Sequence, residues 1–336
     1  MPDSLIAGVG VVLLAGAFQG SFMLPSKWMR NWAWENYWLI FATTAYLICP
    51  WLLAWFTVPR LFEVYEGVSP AALLSAAVFG AGWGIGAVTF GLGVDAVGLA
   101  LGFAVILGVA ATSGTLIPLL VQLPAGFSER QAWLTAIALA LMLSGVAICS
   151  FAGKWKEEGK GASPGRTYRR GILICVASGL LSACGNLGFA FGAEISQRAQ
   201  RLGTPEHLSG NALWTLLALP LFLCNAGYAV YLLRRNDTAQ CFRTQGSLRR
   251  VLLGVLMGLL WMAGMALYGV GARRLGTLGP SLGWAILMST MVLVANALGF
   301  LTGEWTAAPA RSKRQLSLGI LVLLLAIGML GYANRV

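Results

Sequence analysis

Apolar segments of about 20 residues follow one another along nearly the whole of this 336-residue chain. At 1.5 Å per residue, each is long enough to cross a ~30 Å hydrocarbon core as a helix. Only 10% of the residues are charged and 58% are hydrophobic, whereas soluble domains carry about 25% charged residues. The pattern predicts an all-α integral membrane protein with ten transmembrane helices, at roughly 5–24, 38–58, 71–93, 98–122, 131–152, 171–192, 211–233, 251–271, 280–302 and 316–333. These spans leave no room for a sizeable soluble domain. Asp3, but no basic residue, precedes the first apolar run, so that run reads as a retained span rather than a cleaved leader. Spans three and four are joined by a very short turn around Asp95, and the longest connections are 153–170, 193–210 and 234–250.

The chain contains one unit twice. Residues 80–102 and 258–283 are both apolar and glycine-rich, with Trp83 opposite Trp261, Gly86 opposite Gly264, and Phe90 opposite Tyr268. Leu101–Val105 repeats as Leu282–Ile286. More faintly, Trp38 corresponds to Trp214, and Gly16 and Phe18–Ser21 to Gly179 and Leu181–Cys184. Spans one to five (1–152) thus pair with spans six to ten (171–336), across a basic cytoplasmic linker at 153–170. Five spans is an odd number, so the second copy enters the membrane upside down. Two inverted five-helix repeats place a binding site near the midplane, at the interface between them, and supply exchangeable halves for alternating access.

Charge sets orientation. Of the 23 Lys and Arg residues, sixteen lie in the loops on one side and seven on the other. The richer side is placed in the cytoplasm, which puts both termini outside. The net charge of +11 belongs to these loops and is no sign of a nucleic-acid partner. The six cysteines lack CxxC spacing and mostly sit in apolar runs, as small buried thiols; neither a disulfide framework nor a metal site is expected. The sequence does not determine an oligomeric state.

Candidate site residues follow from what a neutral polyol needs, namely aromatic faces for C–H groups and amides or hydroxyls that donate and accept. Trp83, Trp261 and Trp284 lie inside spans, whereas Trp28, Trp32, Trp34 and Trp38 flank one and read as an interfacial belt. Thr89, Tyr268, Gln19 and Asn186 complete the substrate candidates, the last two at nearly equivalent positions in spans one and six. The acids nearest the spans, Asp95, Glu194, Glu304 and Glu35, are the candidates for proton coupling. With one histidine and no convergent acid–base set, no catalytic residue is expected. A carrier for another metabolite and a non-transporting sensor or structural subunit are the competing readings.

Several stretches resemble one family. They are Trp32-x-Trp34-Glu35-x-x-Trp38, Pro50-Trp51, Phe79-Gly80-x-x-Trp83-Gly84-Ile85-Gly86, Gly91-Leu92, Leu99-x-x-Gly102, Gly114-Thr115-Leu116 and Glu304-Trp305. At this spacing the chain resembles the L-rhamnose–proton symporter family of the drug/metabolite transporter superfamily. The resemblance implies ten helices in two inverted repeats, a cytoplasmic (inner) membrane, and a sugar moved inward with a proton as coupling ion and no other cofactor. The chain departs from the family over Leu278–Trp284, which has fewer polar and acidic residues, so the expected substrate is L-rhamnose or a similar sugar.

Overall fold

The computed structural model describes residues 2–97, 99–122, 128–157, 166–303 and 305–333. Its α-helices in chain order are α1 (Pro2–Ser21), α2 (Trp34–Ala42), α3 (Cys49–Thr57), α4 (Leu61–Glu66), α5 (Pro70–Val97), α6 (Leu99–Val121) and α7 (Glu129–Glu157). They continue with α8 (Arg166–Phe191), α9 (Ala193–Arg201), α10 (Asn211–Arg235), α11 (Ser247–Arg274), α12 (Trp284–Leu301) and α13 (Ala310–Ala333). Among the described residues, nine helical segments are long and apolar enough to span a membrane, and Val105–Val121 is a tenth, shorter apolar stretch. A π-helical turn, Thr43–Ile48, joins α2 to α3 in one rod, Trp34–Thr57. Pro50 follows that turn and has no N–H to return to the preceding carbonyls, so the backbone widens there. A second π turn, Gly279–Gly283, carries Pro280 and leads into α12.

Three local expectations are corrected. The chain does not turn around Asp95: α5 stays helical to Val97 and α6 begins at Leu99. The connection 193–210 is not an open loop. It holds α9, whose Ile195, Ser196 and Ala199 are buried. Trp32 and Trp38 do not form a lipid-facing belt. Trp32 is 6% exposed, and its indole donates to the Cys241 carbonyl at 3.2 Å. Trp38 stacks on Trp34 and donates to Asn225 Oδ1 at 3.0 Å. The large rings that do lie outside include Trp28, Trp55, Phe56, Phe62 and Trp133.

In lipid, helix association rests on close packing and interhelical hydrogen bonds rather than on hydrophobic collapse, and glycine admits the closest approach. A Cβ at Gly86 would lie 2.6 Å from the Ser182 backbone nitrogen, so α5 and α8 meet backbone to backbone; at Gly264 it would lie 3.0 Å from the Ala15 carbonyl, where α11 meets α1. Helix neighbours include α5 with α8 and α10, α11 with α1 and α2, α6 with α8 and α7, α12 with α1 and α13, α7 with α13, and α10 with α2. The bundle has two ends. One carries Ser69, α9 and the α11–α12 junction; the other carries Glu35, Thr238 and the α5–α6 junction.

Candidate functional site

The helix crossings bring aromatic rings from six segments into one cluster. Trp83 of α5 lies 5.6 Å from Trp261 of α11 and 6.4 Å from Trp214 of α10, centroid to centroid. Tyr46 in the first π turn meets Trp261 edge-on at 4.8 Å. Phe189 of α8 stacks on Trp214 at 5.0 Å and 12°, and Tyr268 of α11 lies 5.5 Å from Phe189 and 5.7 Å from Trp284. Trp83 can reach Trp261 and Trp214 because α8 presents Gly185 beneath the indole, where a Cβ would lie 2.5 Å from Trp83 Cδ2.

The polar groups of the cluster divide into those already engaged and those left without a partner. Gln19 Nε2 donates to the Trp261 carbonyl at 2.9 Å. Asn186 Nδ2 donates to the carbonyls of Gly114 and Pro280 at 2.7 and 2.8 Å, while its Oδ1 accepts the Tyr268 hydroxyl. The Trp284 indole donates to Ala110 O at 3.3 Å, and the Thr89 hydroxyl donates back to Ile85 O at 2.8 Å. Four of the candidates that sequence pointed to as sugar ligands (Gln19, Asn186, Tyr268 and Trp284) therefore tie helices together, and Thr89 bonds its own helix. Gln19 packs at Gly264 as Ser182 packs at Gly86, so Ser182 is its counterpart and Asn186 lies one helical turn further on.

Among the described residues, the buried donors without a protein partner include the hydroxyls of Thr115, Ser289 and Thr290 and the indole N–H of Trp214. Thr115 and Ser289 are fully buried, Trp214 is 2% exposed and Thr290 is 7% exposed. A buried donor left unpaired costs about 1–3 kcal/mol, so these four groups are positions that a hydroxyl-bearing molecule would relieve. The sequence marks Thr115, Ser289 and Thr290 as polar groups within spans but does not single them out as substrate candidates. The usable signals were the pairing of Trp214 with Trp38 and the place of Thr115 in a family-like motif; nothing marks Ser289 or Thr290 without the fold.

The acidic candidates stand apart from the aromatic cluster. Glu35 is 4% exposed and accepts from Asn236 Nδ2 at 3.0 Å and Thr238 Oγ1 at 2.7 Å. The adjacent Asn36 donates to the Thr238 carbonyl at 2.8 Å. At the opposite end Glu194 accepts from the Ser69 N–H at 2.6 Å and the Ser69 hydroxyl at 2.8 Å, just before the first turn of α5. Tyr65 and Asn211 fasten the same end, the tyrosine to Thr215 Oγ1 at 2.6 Å and the asparagine to Thr57 Oγ1 at 2.9 Å. Asp95 lies in the last turn of α5, and Glu304 lies outside the described residues. Among the described residues no group of histidine, cysteine or acidic side chains could hold a metal ion.

A multi-pass helical membrane protein with an aromatic and hydroxyl-bearing centre, fastened at both ends by side-chain hydrogen bonds, is the class these features define. The chain matches the family described as L-rhamnose-proton symport protein (RhaT) over residues 1–335, and it belongs to that family, which is one of carriers and not of enzymes. It is 27% identical to the L-rhamnose-proton symporter of Pectobacterium atrosepticum over 352 aligned positions that cover all of both chains. It is 28% identical to that of Cronobacter sakazakii and 26% identical to that of Yersinia pestis, with 98% of each chain covered in both cases.

Proposed function

We propose that the chain is a secondary carrier that brings L-rhamnose or a similar sugar into the cell with a proton. It works by alternating access between two inverted five-helix repeats, 1–152 and 171–336, joined by the basic linker 153–170. The family supports the solute and the ion. One packing observation carries the repeat: exchanging α1, α2, α5, α6 and α7 for α8, α10, α11, α12 and α13 maps the most extensive helix contacts onto one another. The pair α5–α8 becomes α11–α1, α6–α8 becomes α12–α1, α10–α5 becomes α2–α11, and α7–α13 maps onto itself. Residues follow suit. Gly179 meets Val109 and the Ile106 carbonyl, and its counterpart Gly16 meets Thr290 and the Leu287 carbonyl, so that Val109 corresponds to Thr290 and Ile106 to Leu287 at one common offset.

Trp83, Trp261 and Trp214 offer faces for the methyl and C–H side of the sugar, and the unpartnered hydroxyls and indole offer donors for its oxygens. No bound cofactor is required. The family supports a cytoplasmic membrane location, and the charge bias supports both termini outside with the Ser69 end facing out. A proton falling through about 100 mV releases ~2.3 kcal/mol, enough for roughly 50-fold accumulation. The test is uptake of labelled L-rhamnose into proteoliposomes with and without an inward proton gradient. Accumulation that a protonophore collapses supports the reading. Gradient-independent uptake removes the proton, and no uptake by folded protein removes the sugar.

A further inference from the structure

The two ends of the bundle are unequal where the repeat would make them alike. At the Ser69 end, the C-terminal part of α11 and the π turn Gly279–Gly283 are packed shut. Tyr268 is fully buried, Ser281 is 2% exposed, and a Cβ at Gly269 would lie 3.1 Å from the Trp214 indole nitrogen. The counterpart of Gly269 is Gly91, and the counterpart of Trp214 is Trp38. At Gly91 a Cβ would meet none of the described residues within 4 Å, and the neighbouring Leu92 is 42% exposed. The end that holds the α5–α6 junction is therefore less tightly packed at the position where the other is closed.

Chemistry accompanies this difference. Tyr268 donates to Asn186, lies 3.3 Å from the Pro280 carbonyl, and so ties α11 to α8 and to the π turn; Asn186 adds the Gly114 carbonyl of α6. Four segments meet at one node. The counterparts of Tyr268 and Asn186 are Phe90 and Met23, which carry no hydroxyl and no amide and cannot form it.

We propose that Tyr268 and Asn186 are positioning residues for transport: their node is the latch that holds the Ser69 end shut, and Phe90 and Met23 offer no such node at the opposite end. The proposal rests on the inverted-repeat reading above. The bond from Tyr268 is present only while the α11–α12 junction lies against α8, so opening that end must break it. In a membrane interior no water replaces it until the gap has widened.

The experiment uses full-length protein with the six native cysteines replaced by alanine and one reporter at a time, Ser281→Cys or Gly91→Cys. Labelling by a small water-soluble maleimide is timed in purified protein, without solute or gradient. Failure of the rhamnose or proton assignment, or of the orientation, therefore leaves the result untouched. Tyr268→Phe copies the opposite end. It should speed labelling at Ser281→Cys about fivefold, the value for one hydrogen bond of ordinary net strength, with no increase at Gly91→Cys. Asn186→Met should do the same and replaces Tyr268→Phe if that variant does not fold. Faster labelling at both reporters would make the pair simple packing residues and overturn the latch, as would unchanged labelling at Ser281→Cys in folded protein.

Discussion

Gly185→Ala is the smallest change that reaches the aromatic cluster. The added methyl would start 2.5 Å from Trp83 Cδ2 and 2.7 Å from Cε2 and Cε3. Carbon atoms in contact sit about 3.5–4.0 Å apart, so the indole must retreat by roughly 1 Å. The tryptophans 5.6 and 6.4 Å away receive that displacement. Overpacking of this kind costs about 1–3 kcal/mol, which corresponds to about 5- to 150-fold in an equilibrium constant. Expressed in the site, the cost is a weaker apparent affinity for L-rhamnose in counterflow; expressed in the fold, it is a lower unfolding temperature. Gly227→Ala is the control: a Cβ there meets nothing within 4 Å, and alanine favours a helix by about 0.8–1 kcal/mol. Adding Trp83→Phe to Gly185→Ala restores room, so the two changes should be non-additive by about 0.5–3 kcal/mol. Unchanged affinity and stability in Gly185→Ala, or strict additivity in the double variant, would refute the claim that this glycine sets the position of Trp83.

Thr115→Val and Thr290→Val remove unpartnered buried hydroxyls at nearly constant shape, so each should keep or raise thermal stability, by up to about 1–3 kcal/mol, while slowing uptake. A stability loss would mean that the hydroxyls are already satisfied. Ser69→Ala and Glu194→Ala disrupt the same fastening at the start of α5, so the unfolding midpoint of the double variant should fall by less than the sum of the single losses; additivity would break the link. On the surface, the hydrogen bond from Arg60 holds the Glu63 carboxyl below its usual range. A carboxylate lowered on folding stabilises above its unfolded value of about 4.3 and loses that contribution as pH falls through the lower folded value. Melting curves of wild type and Glu63→Gln should differ slightly at neutral pH and low salt and converge in stronger acid. A gap that widens in acid would reverse the sign.

The helical membrane class and the family were legible in the residues, because a lipid environment turns hydropathy into segment length. The paired Trp83 and Trp261 could be named from their register alone. The polarity of Gln19, Asn186, Tyr268 and Trp284 was legible too, but not its use. Whether an amide meets a solute or a neighbouring carbonyl depends on which backbone lies 3 Å away, and residues as distant as 19 and 261 are set opposite each other only by helix crossing. The same holds for Trp32 and Trp38, whose flanking position suggested lipid but whose neighbours are Phe242 and Asn225. The unpartnered hydroxyls of Ser289 and Thr290 have no signature in one dimension, since an empty hydrogen-bond position is a property of the surroundings. The inequality of the two ends likewise belongs to the tertiary structure. Sequence supplies Tyr268 against Phe90 and Asn186 against Met23, but only the packed helices bring a hydroxyl, an amide and two carbonyls to one point.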